Sequence, residues 1–162
     1  MNEWYSIEAK QGSKSAKINI YEQIGKSFWS EDGIRAKSFI KDLDALDVEE
    51  IQLHINSPGG NVFEGNTIYN ALRAHKAKVI ITVDGVAASI ASVIAMAGDR
   101  VQMPENAMMM IHDPLGLVVG NSAAMRKQAD ALDKIKQSIV TAYMTRATEE
   151  QSKIEDMMRV VS

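Results

Sequence analysis

Three short segments of the sequence carry residue types that could do chemistry, and the first surrounds a serine. Ser89 follows a β-branched apolar run at 79–83 and an Asp-Gly pair, and small residues at 87–97 predict a helix around it. A serine at a helix N-terminus lies near backbone amides that can stabilise an anion. A serine that only caps the helix is also typical of this position. Ser89 is therefore either a nucleophile or a helix cap.

The second segment is a glycine turn that follows an alternating strand pattern at 51–55. It reads Asn-Ser-Pro-Gly-Gly at 56–60, and glycine can adopt a positive φ there at no steric cost. Backbone amides in such a turn can point together at an oxyanion. An ordinary tight turn has the same composition, so both interpretations stay open.

The third segment places a histidine after an apolar strand pattern at 108–111. His112 precedes Asp-Pro-Leu-Gly, a loop that can carry the imidazole to a cleft. A neutral imidazole could accept a serine proton near neutral pH, although a lone histidine can equally be structural. We interpret His54, which alternates with core positions on its strand, and His75, which stands beside Lys76, as structural.

Composition argues against several other classes of function. The 162-residue chain suits one domain with a sizeable core, and its net charge of −3 shows no basic face for a nucleic acid. The chain has no cysteine, and its three histidines are not spaced four apart. We therefore expect no disulfide, no metal site and no cofactor.

The N-terminus lacks a basic start followed by an apolar stretch, so we expect no signal peptide. The longest apolar run, at 86–98, is too short to span a bilayer. The sequence therefore predicts a cytoplasmic protein with no membrane partner.

Strand and helix patterns alternate along the chain. Ser30 is predicted to cap the first helix, and a long helical period predicts a helix of about 39 Å at 122–147. The alternation predicts an α/β domain of repeated strand–helix units with right-handed crossovers. The long helix could project and pack against a neighbouring subunit. The other predicted elements are a hairpin at 4–9 and 16–24, a helix through Leu72, strands at 100–103 and 108–111, and a last helix at 148–158.

Together the three segments resemble a known family. Ile-Asn-Ser-Pro-Gly-Gly, Asp-Gly-x-Ala-Ala-Ser and Met-Ile-His-x-Pro-Leu-Gly, in this order, are similar to motifs of the Clp protease proteolytic subunit, a serine peptidase. The similarity runs from about residue 18 to residue 147. It implies the fold shared by Clp protease and crotonase, as a single peptidase domain over 1–162. Within it, 1–25 would form N-terminal strands, 26–120 the α/β core, and 121–162 a handle helix and a truncated C-terminus.

The resemblance also implies roles for individual residues. Ser89 would be the nucleophile and His112 the general base. The amides of Gly60 and Ile90 would form the oxyanion hole. An extended peptide substrate would pair with the segment at 116–120, and the implied substrate-binding residues are Gly59, Leu115, Gly116 and Leu117.

The partners implied by the resemblance are a peptide or protein substrate and further copies of the chain. The handle helix would interlock two heptameric rings into a barrel with an internal chamber, which an AAA+ unfoldase feeds in the cellular form. The sequence at 18–25, and His-Asp-Pro in place of His-Gln-Pro, look more like the phage or prophage head-maturation branch. Such enzymes process capsid or scaffold proteins and need no ATPase.

The sequence departs from the family at the third catalytic residue, an aspartate that follows the handle helix. Val160 or Val161 occupies that register, and the chain ends at Ser162. The chain is therefore truncated, uses another acid, or is inactive. The candidate acids are Asp113, Glu155 and Asp156. A serine–lysine dyad through Lys127 or Lys134 is a further alternative.

Two other functions stay open. A crotonase-type enzyme would stabilise a thioester enolate with two backbone amides and often uses glutamates, of which the turn and the following helix hold only Glu64. A catalytically inactive assembly subunit would account for the missing acid.

Overall fold

The computed structural model describes residues 5–9, 12–25 and 36–160. The chain divides between Met110 and Ile111 into two compact units, and each is described here by itself. The helix cap predicted at Ser30 lies outside the described residues. The prediction that the whole chain forms one domain stays a prediction.

The first unit is built on a six-stranded, mostly parallel sheet. Its path is β1-β2-β3-β4-β5, with β6 also paired to β4. Only the β1–β2 hairpin is antiparallel among these pairs. The mixed α/β fold predicted from the sequence is confirmed. The elements are β1 (Tyr5–Ala9), β2 (Ser15–Ile20), α1 (Ala36–Asp44), β3 (Glu50–Ser57), α2 (Val62–Ala74), β4 (Lys78–Ala88), α3 (Ile90–Ala95), β5 (Arg100–Gln102) and β6 (Met108–Met110).

Burial alternates along the central strands, as the period of two predicts. On β3, Ile51, Leu53 and Ile55 are fully buried, while the side chains between them are partly or fully exposed. The prediction that 79–83 is buried on both faces is wrong, because Ile80 and Thr82 stay partly exposed. Their neighbours in register on the adjacent strands are polar, so this face of the sheet stays polar.

The strand β4 is longer than the sequence pattern indicated. It was expected to end at Val83, but it continues through Asp84 and Gly85 to Ala88. The extension has partners on both sides, since Ala87 pairs with Ser57 beyond a register shift in β3, and residues 86–88 pair with β6. The helix predicted from residue 87 therefore begins only at Ile90.

The second unit contains the long helix predicted from the sequence. Helix α4 (Ser122–Met144) ends three residues earlier than expected, and α5 (Gln151–Val160) follows it. The side chain of Asn121 caps α4 by accepting a hydrogen bond from the Ala124 amide at 3.1 Å. The buried residues of α4 lie near its C-terminal end, and they are Ile139, Val140, Ala142 and Tyr143. Among the described helices, none is long and apolar enough to cross a membrane.

Candidate active site

Ser89 lies at the junction of β4 and α3 in an uncommon backbone conformation. Its φ is 54° and its ψ is −129°, and among the described residues no other non-glycine residue has a positive φ. Such a conformation costs about 1–3 kcal/mol and persists only where the surroundings impose it. The side chain of Ser89 makes no helix-capping hydrogen bond. The geometry therefore gives no support to the interpretation of Ser89 as a helix cap.

Hydrogen bonds to two elements, β6 and α3, hold the backbone of Ser89. Its amide donates to the carbonyl oxygen of Met110 on β6 at 2.9 Å. Its carbonyl oxygen accepts from the Ser92 amide at 3.0 Å and from the Ser92 hydroxyl at 2.5 Å. Ser92 is fully buried. Sequence reasoning missed this positioning role, although a second serine three residues after Ser89 was visible.

The glycine turn packs directly against Ser89. Gly59 and Gly60 have φ values of 96° and 149°, which confirms the positive φ that their composition predicted. A Cβ atom at Gly59 would lie 2.6 Å from the Ser89 Cβ and 3.2 Å from the Ile90 nitrogen. A Cβ atom at Gly60 would overlap the carbonyl oxygen of Ile24. Glycine is therefore required at both positions by conformation and by space.

A buried serine holds this turn in place. The Ser57 hydroxyl donates to the Glu22 carbonyl oxygen at 2.7 Å and accepts from the Gly59 amide at 3.2 Å. Ile24 adds two backbone hydrogen bonds. Its amide donates to the Gly59 oxygen at 2.8 Å, and its carbonyl oxygen accepts from the Asn61 amide at 2.9 Å. The sequence analysis noted the motif but assigned Ser57 no role. The only signal for it was its place between the strand and the glycines.

The first unit thus places Gly59 and Gly60 beside Ser89 and Ile90, at the junction of β4 and α3. Ile90 opens α3, and the first amides of a helix have no partner within that helix. The amide of Gly60 follows Gly59, whose φ is positive, and precedes the Asn61 cap of α2. Two backbone amides that point at one oxygen can stabilise an oxyanion. That the amides of Gly60 and Ile90 do so beside Ser89 stays a prediction.

The second unit carries the remaining predicted site residues. His112 lies in the segment 111–119, to which neither helix nor strand is assigned. Leu115 and Leu117 are 77% and 75% exposed. Between them Gly116 faces α4, since a Cβ there would lie 2.7 Å from the Gln128 amide nitrogen. The segment therefore presents alternate side chains outward, as an extended chain does. The pairing of His112 with Ser89 stays a prediction.

Each candidate acid of this unit has a partner. Asp113 forms an ion pair with Lys136, whose Nζ lies 2.7 Å from Oδ1 and 2.9 Å from Oδ2. Asp156 accepts a hydrogen bond from Arg159 at 2.7 Å. Glu155 accepts one from the Gln151 side chain at 2.7 Å. These contacts leave the identity of the catalytic acid open. The two lysines proposed for a dyad, Lys127 and Lys134, are exposed.

The other polar candidates have local partners. Nδ1 of His75 accepts from the Ala77 amide at 3.0 Å, just after α2. Glu64 accepts from the backbone amide of Ala36 at the start of α1. Among residues 5–9, 12–25 and 36–160, no group of three or more acidic or histidine side chains could hold a metal ion.

His54 belongs to a polar cluster on the exposed side of the sheet. Its Nδ1 lies 2.9 Å from Oδ2 of Asp84, which also accepts from the Tyr21 hydroxyl at 2.5 Å. Partial burial acts to raise the pKa of Asp84. Two other effects outweigh the effect of burial and hold the pKa of Asp84 below 3.8. They are the hydrogen bonds from Tyr21 and His54 and the positive charges of His54 and Lys17. The hydrogen bond to Asp84 raises the pKa of Tyr21 to about 12.

Comparison with known proteins decides the family. The family model described as Clp protease matches residues 5–160, nearly the whole chain. The chain belongs to the Clp protease family.

Three relatives show how far the likeness extends, and all carry the name ATP-dependent Clp protease proteolytic subunit. The protein of Deinococcus radiodurans is 36% identical over 132 residues, which cover 76% of this chain and 64% of the relative. That of Ligilactobacillus salivarius is 43% identical over 60% of this chain and 51% of its own length. Subunit 1 of a Synechococcus species is 30% identical over 82% of this chain and 69% of its own length. The chain thus spans about half to two thirds of these relatives.

Proposed function

We propose that this chain is a serine-type peptidase subunit in which Ser89 is the nucleophile. The observation that carries the proposal is the positive φ of Ser89 at a strand–helix junction, against the Gly59–Gly60 turn. Backbone strain concentrates at functional sites, because a nucleophile must be presented at a fixed angle. Family membership supports the same chemistry, since the curated relatives are named as proteolytic subunits.

The proposed reaction proceeds through an acyl-enzyme. His112 takes the hydroxyl proton of Ser89 while Oγ bonds to the scissile carbonyl carbon, and the carbonyl electron pair moves to oxygen. The amides of Gly60 and Ile90 stabilise this oxyanion. The C–N bond then breaks as His112 returns the proton to the leaving amine. Water, deprotonated by His112, then attacks the acyl carbon. The bond from that carbon to the Ser89 Oγ breaks, His112 returns the proton to Oγ, and the acid product leaves.

We propose that the substrate is an extended peptide bound along the segment 115–117. The outward exposure of Leu115 and Leu117 supports this, because a bound peptide would bury both side chains. Gly116 is exposed and has no side chain, so its backbone is accessible to strand-like pairing. Gly59 would lie beside the scissile bond, where a side chain would obstruct the substrate.

The proposed assembly is a homo-oligomer of heptameric rings that stack through α4, in the cytoplasm. The long α4 with buried residues only near its C-terminal end supports a further packing partner for the rest of the helix. The proposed substrates are phage capsid or scaffold proteins, on the sequence at 18–25 and the His-Asp-Pro motif. An AAA+ partner is the alternative that the relatives' name suggests.

A second candidate function is a catalytically inactive assembly subunit. It is favoured by one observation, that Asp113, Glu155 and Asp156 all have partners of their own. Loss of the acid of a serine triad costs about 10⁴-fold in kcat. The two candidates therefore differ by a measurable rate.

Cleavage of a fluorogenic peptide library separates them. Ser89→Ala and His112→Ala are expected to abolish hydrolysis while the particle mass stays unchanged. His75→Ala is the matched control. The described hydrogen bond of the His75 side chain lies just after α2, so this variant should cleave as the parent does. Hydrolysis that survives Ser89→Ala would exclude Ser89 as the nucleophile. A correctly assembled parent without hydrolysis would favour the inactive subunit.

A further inference from the structure

The ion pair between Asp113 and Lys136 stands out within the second unit. It joins the residue after His112 to the middle of α4, 23 positions along the chain. The two side chains are only 27% and 16% exposed. The other lysine–carboxylate pairs of the described residues, such as Lys153–Glu149, are far more exposed.

The backbone around His112 has little regular structure to fix it. The segment 111–119 is assigned to neither helix nor strand. The described bonds of Asp113 join it to two helices. Its amide donates to the Met158 carbonyl oxygen on α5 at 3.2 Å, and its carboxylate pairs with Lys136 on α4. Lys136 lies one turn before the buried Ile139 and Val140, which anchor α4 within this unit.

We infer that Lys136 is a positioning residue for His112, acting through Asp113. The inference rests on the proposed function, in which His112 is the general base. A partly buried carboxylate that loses its cation must move toward water, because an unpaired charge is costly in a low-dielectric site. Movement of Asp113 displaces the adjacent His112, and a displacement of about 1 Å in a catalytic group can cost on the order of 100-fold in rate.

The same pair gives Asp113 a role other than that of the catalytic acid. Its two oxygens share one ammonium group, so its charge is already neutralised by Lys136. Asp113 thus acts as an anchor for the peptide backbone that carries the base. The sequence could not show this, because nothing in the spacing of 113 and 136 on a loop and a helix indicates a contact.

The test compares Lys136→Met, Lys136→Arg and the control Lys153→Met in the full chain. Lys136→Met should lower kcat for peptide hydrolysis on the order of 10-fold to 100-fold, with KM changed less than about twofold. Lys136→Arg keeps the cation and should restore most of the rate. Lys153→Met breaks an exposed pair of the same unit and should match the parent. If the substitution only unfolded part of the protein, the fraction of active molecules would fall instead. Titration of reactive Ser89 with a fluorophosphonate probe measures that fraction separately.

The double variant Asp113→Asn/Lys136→Gln keeps the test informative if Lys136→Met does not fold. It removes both charges and retains hydrogen-bonding groups, so it should cleave faster than Asp113→Asn alone, which leaves Lys136 unpaired. A folded Lys136→Met that cleaves at the parental rate, or a double variant no better than Asp113→Asn, would overturn the inference. A parent that does not cleave at all would instead overturn the proposed function.

Discussion

Ser89 in the first unit and His112 in the second are held by different kinds of contact. Ser89 follows an eleven-residue strand, and its strained backbone is held by β6, by Ser92 and by the glycine turn. His112 lies in a segment without helix or strand, next to an ion pair with α4. The position of the serine therefore depends on close packing, and we infer that the position of the histidine depends on charge. The two should respond to different substitutions.

The largest effect is expected where packing against Ser89 is tightest. Gly59→Ala places a methyl group 2.6 Å from both the Ser89 Cβ and the Ala88 oxygen, so the turn or the serine must shift. Hydrolysis should fall on the order of 100-fold. Kinetics of purified, assembled protein measure the loss.

Gly12→Ala is the control for backbone strain alone. Gly12 has a φ of 78°, and nothing lies within 4 Å of its added methyl group. It should cost about 1–2 kcal/mol of stability and leave the rate unchanged. Equal rates for the two variants would show that the contact of Gly59 with Ser89 has no catalytic importance.

A smaller loss is expected from the hydroxyl that holds the turn. Ser57→Ala leaves the Glu22 carbonyl and the Gly59 amide without their buried partner. It should lower the free energy of unfolding by about 1–3 kcal/mol and lower kcat in parallel. Denaturant unfolding and kinetics on the same sample test this.

Ser92→Ala should cost less, because the Ser89 carbonyl retains the Ser92 amide as a donor. A loss in Ser92→Ala larger than that in Ser57→Ala would contradict the ranking of these contacts.

In the second unit, a substitution on the exposed segment should affect binding alone. Leu117→Ala removes a side chain that is 75% exposed, so unfolding should change by less than about 0.5 kcal/mol. KM for an extended peptide should rise on the order of tenfold with kcat retained, because the substrate loses apolar contact. Val160→Ala, at an equally exposed position on α5, is the control. An unchanged KM would remove Leu117 from the proposed substrate site.

The smallest effect is expected at the polar cluster of the first unit. The pKa of Asp84 is lowered in the folded state, so its stabilising contribution is present above 3.8 and is lost as pH falls through the folded pKa. The difference in melting temperature between the parent and Asp84→Asn should therefore shrink as pH falls from about 5 toward 2. Thermal unfolding across this range measures it. If the melting-temperature difference grew as pH fell, the lowered pKa assigned to Asp84 would be contradicted.

The sequence predicted much of the fold but not the backbone of Ser89. Alternation on β3 and the period of α4 follow from side-chain polarity, which local sequence carries. The continuation of β4 to Ala88 depends on pairing with β6 and with Ser57, which are distant in sequence. The positive φ of Ser89 lies directly after that extended strand, and a serine gives no local signal for it. Contacts such as Asp113–Lys136 are invisible for the same reason.

The most direct test of the central claim is labelling with a fluorophosphonate probe, followed by peptide mapping of the modified residue. The account predicts covalent modification of Ser89 and none in Ser89→Ala, because only an activated hydroxyl near an oxyanion hole reacts with the probe. Folded, assembled protein that stays unlabelled, or labelling that persists in Ser89→Ala, would contradict it.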